Sequence, residues 1–95
     1  MKHPATYIMA SKRNGTLYTG VTSNLQQRVF QHREGRTPGF TSRYGCKLLV
    51  HYETYEDMTT AIDREKQIKA ASRRNKLRLI DRFNAEWRDL YSDFA

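Results

Sequence analysis

The sequence predicts a small α/β domain: a three-stranded antiparallel sheet flanked by helices, in the order β, β, α, β, α, α. Three observations lead there. They are a hairpin signal within the first 22 residues, a near-continuous apolar run at residues 46–52, and three stretches of helical periodicity bounded by capping residues. Ninety-five residues, 38% of them hydrophobic, suffice for one modest core, so residues 1–95 read as a single domain.

Residues 6–10 and 16–21 are short β-prone runs, and Asn14-Gly15 between them is a strong hairpin signal. A two-residue turn there pairs Ser11 with Tyr18 and Tyr7 with Thr22. Tyr7 and Tyr18 then share a face of the sheet but stand four residues apart, about 13 Å at ~3.4 Å per residue. A shared site requires strong twist, a bulge or a wider loop. After Gly20-Val21, the side-chain oxygen of Thr22, Ser23 or Asn24 is available as an N-cap. A helix over roughly residues 24–34 follows, with Gly35 as its natural C′ residue. On it Arg28 and His32 are four apart and stack on one face, beside the apolar pair Leu25 and Val29.

Residues 35–39 are loop by their turn composition. The run at 46–52 is apolar at nearly every central position, which predicts a strand covered on both faces and lying inside the sheet. Asp57 then caps a helix over residues 58–71, with Met58, Ala61, Ile62 and Ile68 along one stripe. Glu65 falls near the middle of that stripe, where a carboxylate is costly to bury without a cation or a metal. Arg28 and Lys69 are the candidate ion-pair partners. A third helix covers residues 73–83 with Leu77, Ile80 and Phe83 inward, ending near Asn84. Trp87 and Leu90 anchor the tail to the core.

Charge narrows the partners. The net charge is +7 and the pI about 9.9, which points to a polyanion. Arg64, Lys66, Lys69, Arg73, Arg74, Lys76, Arg78 and Arg82 crowd one stretch against Glu65 and Asp81 only. Such a stripe neutralises phosphates without reading sequence, and its binding falls steeply with salt. Cys46 is the single cysteine, which excludes an intramolecular disulfide and a cysteine-cluster zinc site. No apolar run is long enough to span a membrane and no signal-peptide core follows Met1, so a cytoplasmic protein with no membrane partner is expected.

Tyr7 in Ala5-Thr6-Tyr7, the triplet Tyr18-Thr19-Gly20, Arg28 and His32 stand at spacings that resemble the GIY-YIG nuclease superfamily. That superfamily is named for tripeptides on its first two strands. Ala5 and Thr6 stand where the name has Gly and Ile, and Thr19 stands for the second Ile; both tyrosines are kept. From Gly39-Phe40-Thr41 through Arg64-Glu65-Lys66 to Asn84-Ala85-Glu86-Trp87, the chain is similar to the small single-domain bacterial members over essentially its whole length.

The resemblance implies a metal-dependent DNA endonuclease, of a kind fitted to repair, recombination or DNA uptake and processing, with single-stranded or structured DNA among its substrates. It implies Glu65 as the single ligand of Mg²⁺ or Mn²⁺, Arg28 as electrostatic stabiliser, and a tyrosine as general base or water-orienting group. We assign the base to Tyr7, with His32 taking or sharing its proton, and the positioning of water or phosphate to Tyr18. Arg64, Lys66, Lys69, Arg73, Arg74, Lys76, Arg43 and Phe40 are the expected nucleic-acid contacts. Gly20 and Asn84 are expected to support the site, a helix cap being an equal reading for Asn84.

The chemistry fits these residues, with one obstacle. A single carboxylate suits a Mg²⁺ that keeps several waters and completes its shell with a substrate phosphate. A phenol, however, titrates near pH 10 and is a poor base at neutrality unless a cation lowers that value or a partner takes its proton. Each residue also has a plainer role: Tyr7 and Tyr18 as sheet aromatics, Arg28 and His32 as a solvated helix face, His3 and His51 as structural or surface groups, and Trp87 as core. Phe40 and Tyr44 are candidates for base stacking. Two competing functions follow from the same residues: a catalytically inactive nucleic-acid-binding module, and a scaffold subunit that needs a protein partner. The sequence leaves oligomeric state open.

Overall fold

The structure is a computed structural model that describes residues 3–36 and 44–94. Phe40 and Arg43 lie outside the described residues. Strands β1 (Ala5–Ala10) and β2 (Leu17–Thr22) lead into helix α1 (Leu25–Arg33), and β3 (Leu48–Thr54) leads into α2 (Met58–Ala70) and α3 (Arg73–Phe83). A short 3₁₀ turn spans Leu90–Phe94. The three strands form one antiparallel sheet in the order β2-β1-β3, as the sequence predicts.

The central strand is β1, not the run at 46–52. All six β1 residues are buried, whereas β3 is an edge that begins at Leu48, with Cys46 buried just ahead of it. Its apolar run is explained by cover on both faces plus a capped edge. Asn84 Nδ2 donates to the Val50 carbonyl at 3.3 Å, and Asp89 Oδ1 accepts from the Leu49 amide at 3.2 Å. An exposed edge is a template for unwanted pairing, and here the segment after α3 occupies it. A register shift between Ile8 and Met9 marks a bulge in β3. It turns Val50 and His51 to the same face, where Val50 joins Ile8 in the core.

Two cores result from the alternation of β1. Tyr7 and Met9 pack with Leu25 and Val29 of α1, Leu49 and Leu90. Ile8 and Ala10 pack with Val50, Ile68 of α2, Ile80 of α3 and Trp87. Asn24 caps α1 by accepting from the Gln27 amide, Asp57 caps α2 by accepting from Thr60, and Ser72 caps α3 by accepting from Asn75. Gly35 takes φ 69° at the end of α1, as its C′ position requires.

Two residues expected inward are not. Met58 is 37% and Phe83 49% exposed. Both stand at helix ends; Phe83 instead rests edge-on against His51 and Tyr52, with ring centroids 4.7 and 5.5 Å away. Trp87 and Leu90 anchor the tail as expected, and the Trp87 indole donates to Asp81 at 2.7 Å.

Candidate active site

The hairpin register decides whether the two tyrosines meet. Tyr7 lies opposite Gly20 and Met9 opposite Tyr18, two residues tighter than a two-residue turn would set. The connection is wider: Ser11 N donates to Thr16 O, Gly15 N donates to Lys12 O, and Asn14 takes the left-handed φ of 58°. The slip by two preserves the shared face, since side chains alternate with period two, and halves the offset between the phenols. Their ring centroids are 6.4 Å apart.

Gly20 makes this approach feasible. A Cβ there would lie 2.5 Å from Tyr7 Oη, 2.6 Å from Tyr7 Cζ and 3.0 Å from a Tyr18 ring carbon. The Tyr7 ring therefore lies across the bare Cα of its cross-strand neighbour. Gly20 serves the site by its missing side chain.

From α1, His32 closes the cluster. Its Nε2 lies 2.9 Å from Tyr7 Oη in a buried hydrogen bond, and its ring centroid is 5.7 Å from Tyr7 and 5.5 Å from Tyr18. Burial holds the Tyr7 phenol well above its ordinary range; the charges of Tyr18 and Glu65 add to that, and Arg28 opposes it. Burial first and Arg28 second push His32 below its usual value. At neutral pH the phenol is protonated and the imidazole neutral. The charge of Arg28, one turn before His32, acts on both groups, and that of Glu65 acts on Tyr7.

Glu65 reaches the site through an interaction that the motif spacing does not reveal. Thr6, on the opposite face of β1 from Tyr7, donates its hydroxyl to the Ala61 carbonyl at 2.7 Å. In a helix that carbonyl accepts the amide of the residue four further on, which is Glu65. Thr6 therefore docks the turn of α2 that carries the carboxylate. A hydroxyl inside a fully buried strand is the signal that could have exposed this contact, because buried polar groups need partners. Glu65 itself pairs with Lys69, Nζ to Oε2 at 2.7 Å, with its side chain 12% exposed. Of the two candidate partners, Lys69 is the one bonded to it.

The basic stripe does not fold into one face. Arg64 forks onto Glu53 of β3, at 2.8 and 3.2 Å. Arg73 donates to the Asn14 and Gly15 carbonyls at 2.8 Å each, pinning the hairpin turn. Lys66 and Arg74 are exposed. Lys69 and Lys76 line a groove beside Leu17, Tyr18 and Thr19 of β2. Among the described residues the Asn84 side chain bonds Val50 and Arg88: its amide also donates to the Arg88 carbonyl at 2.7 Å and its oxygen accepts the Arg88 amide at 3.0 Å. Its role here is the cap.

Among the described residues, no helix is long and apolar enough to cross a membrane, and no group of three or more His, Cys, Asp or Glu side chains is gathered to hold a metal.

Comparison with known proteins identifies the family and the fold. The family model described as the GIY-YIG catalytic domain matches residues 3–78. A UPF0213 protein of Staphylococcus haemolyticus is 36% identical over 75 residues, covering 79% of this chain and 90% of its own length. One from Natronomonas pharaonis is 40% identical over 65 residues, covering 68% and 76%. The solution NMR structure of a UPF0213 protein from Bacillus halodurans superposes with a TM-score of 0.55 at 25% identity, covering 94% of this chain and 93% of that one. With a buried Tyr–His pair closed over a strand glycine and this extent of similarity, the chain belongs to the GIY-YIG nuclease family.

Proposed function

We propose that this protein is a metal-dependent DNA endonuclease that hydrolyses phosphodiester bonds. The observation that carries the reading is the 2.9 Å bond between Tyr7 Oη and His32 Nε2. With the phenol protonated and the imidazole neutral, the relay uses the tautomer that carries the imidazole proton on Nδ1, in which the phenol donates and the lone pair at Nε2 accepts. That is the resting state of a proton relay. As water attacks phosphorus, its proton passes to Tyr7 Oη while the phenol's own proton passes to His32 Nε2. Tyr7 is neutral before and after, so the obstacle of a high phenol pKa disappears: no free phenolate forms.

The water oxygen makes the new bond to phosphorus, the bond to the bridging oxygen breaks, and that oxygen takes a proton from solvent. Arg28 forks onto the phosphoryl oxygens. Its charge also opposes the imidazolium, which favours return of the proton to solvent after each turnover. Tyr18, half-buried and therefore closer to solvent than Tyr7, orients the water or the phosphate. Lys66, Arg74 and Lys76 contact flanking phosphates.

Glu65 would hold the metal. A donor set of one carboxylate fits Mg²⁺ or Mn²⁺, which commonly take one or two protein carboxylates and keep their waters, and does not fit a structural zinc. When bound, such an ion supplies positive charge to the phosphate under attack.

The test is cleavage of a single-stranded circle and a supercoiled duplex circle with Mg²⁺, with Mn²⁺ and with chelator, for the native chain and Glu65→Ala. We expect metal-dependent cutting by the native chain and a loss of about a hundredfold or more in the variant. The circle that is preferred names the substrate class. Binding without cleavage by both proteins would overturn the enzyme reading in favour of a binding module.

A further inference from the structure

The Glu65–Lys69 pair is lopsided. The carboxylate side chain is 12% exposed and the ammonium side chain 54% exposed, yet they are 2.7 Å apart. The anion is nearly buried on α2, while the cation lines the groove formed with Leu17, Tyr18, Thr19 and Lys76. Lys76 comes from α3, so two lysines on separate helices converge on one groove beside a catalytic tyrosine. Like charges brought together in this way favour an anion between them.

We propose that Lys69 is a placeholder cation that exchanges partners. It neutralises Glu65 while that carboxylate carries an unmet charge, and it turns into the groove to take a DNA phosphate once the carboxylate is neutralised by something else. The inference rests on the reading above, in which Glu65 holds a divalent ion and the chain binds DNA. Its physical basis is unequal need. A carboxylate that is nearly buried is costly without a counter-charge, whereas an exposed lysine one turn away gains only about a twofold equilibrium shift from the pair. A divalent cation on Glu65 repels the ammonium, and the groove is within reach of its stem. Metal and DNA then favour each other's binding through one side chain, reciprocally.

The experiment needs no metal. DNA affinity is measured in chelator over a range of salt, with a single-stranded oligonucleotide and its duplex, for the native chain, Lys69→Met, Glu65→Gln and the double variant. Glu65→Gln stands for the neutralised carboxylate. Lys69→Met should change affinity less than twofold in the native background, where the ammonium is engaged. In the Glu65→Gln background it should lower the slope of log affinity against log salt by about one phosphate contact, ~0.9 on duplex and ~0.7 on single strands. Thermal melts of each variant confirm the fold. Equal effects of Lys69→Met in the two backgrounds, or no DNA binding at all, would overturn the exchange. A parallel Mn²⁺ titration without DNA judges the underlying reading separately: binding lost in Glu65→Gln keeps it, and binding unchanged there removes it. Lys69→Met should tighten Mn²⁺ about twofold, by removal of a competing cation.

Discussion

At the scale of single residues, His32 is where the relay is most exposed to test. Its pKa is depressed by burial and by Arg28, and it takes a proton only when neutral. Activity should therefore rise as pH climbs through a value below 6.5 and be level by neutrality. His32→Gln keeps a hydrogen-bond acceptor for Tyr7 but no proton acceptor. We expect it to lose about a hundredfold or more in cleavage rate and to lose that acid limb, measured as a pH–rate profile under single-turnover conditions. A variant that keeps the native limb would place the titrating group elsewhere. The pairing of these two side chains was half legible: the i, i+4 spacing set Arg28 and His32 on one face, but no local signal says which nitrogen meets which phenol across 25 residues.

At the scale of elements, the hairpin and α2 build the site by backbone placement. The tyrosines were expected on one face, and they are; their offset was overestimated because Asn14-Gly15 reads as a complete turn, whereas Ser11–Thr16 closes a wider one. Arg73, reaching from α3 to both turn carbonyls, is a tertiary contact that favours the wider loop. Packing at Gly20 follows from that register. Gly20→Ala should cost about 1–3 kcal/mol by overpacking between β1 and β2, read from chemical denaturation. It should also cost about a hundredfold in cleavage, because displacement of Tyr7 Oη by an ångström breaks its alignment with His32. Stability and activity both unchanged would mean that the ring has room to move. The same logic explains why Thr6 sits in a strand that otherwise reads as apolar: its hydroxyl ties α2, and with it Glu65, to the sheet.

At the scale of the whole molecule, β3 is bound to α2 by a charge cluster around Glu53. Glu53 accepts from Tyr55 at 2.5 Å, from Arg64, and from His51 Nε2 at 2.8 Å. Despite the opposing effect of burial, the hydrogen bonds from Arg64, Tyr55 and His51 hold Glu53 down to about 2 from 4.5. A depressed carboxylate stabilises the fold above its unfolded value, so this contribution is complete above pH 4.5 and fades as pH falls towards 2. His51 and His32 carry the same sign of proton linkage, in a higher window. Both are lowered below 6.5, chiefly by burial, so the unfolded chain takes up protons first and stability falls as pH drops below 6.5. Melting temperature followed against pH should decline in these two stages. Glu53→Gln should flatten the lower one and deepen the upper, because the carboxylate counteracts the burial that lowers His51, and an unchanged lower stage would assign acid unfolding to other carboxylates.

What the sequence determined by itself is the inventory and the local order: element types, a cap among Thr22, Ser23 and Asn24 and another at Asp57, the shared face of Tyr7 and Tyr18, the shared helix face of Arg28 and His32, and Glu65 within an apolar stripe. These follow from periodicity and hydrogen-bonding chemistry acting over a few residues. Only the tertiary structure decided which strand is central, because a run covered on both faces looks alike whether its edge is paired by a strand or capped by Asn84 and Asp89. It alone sent Arg64 to Glu53 and Arg73 to the hairpin turn, because those partners lie on other elements. And it alone closed Tyr7 over Gly20 onto His32, since the approach to Gly20 depends on a strand register closed by Ser11 and Thr16 and held from α3 by Arg73, neither of which the turn residues themselves announce.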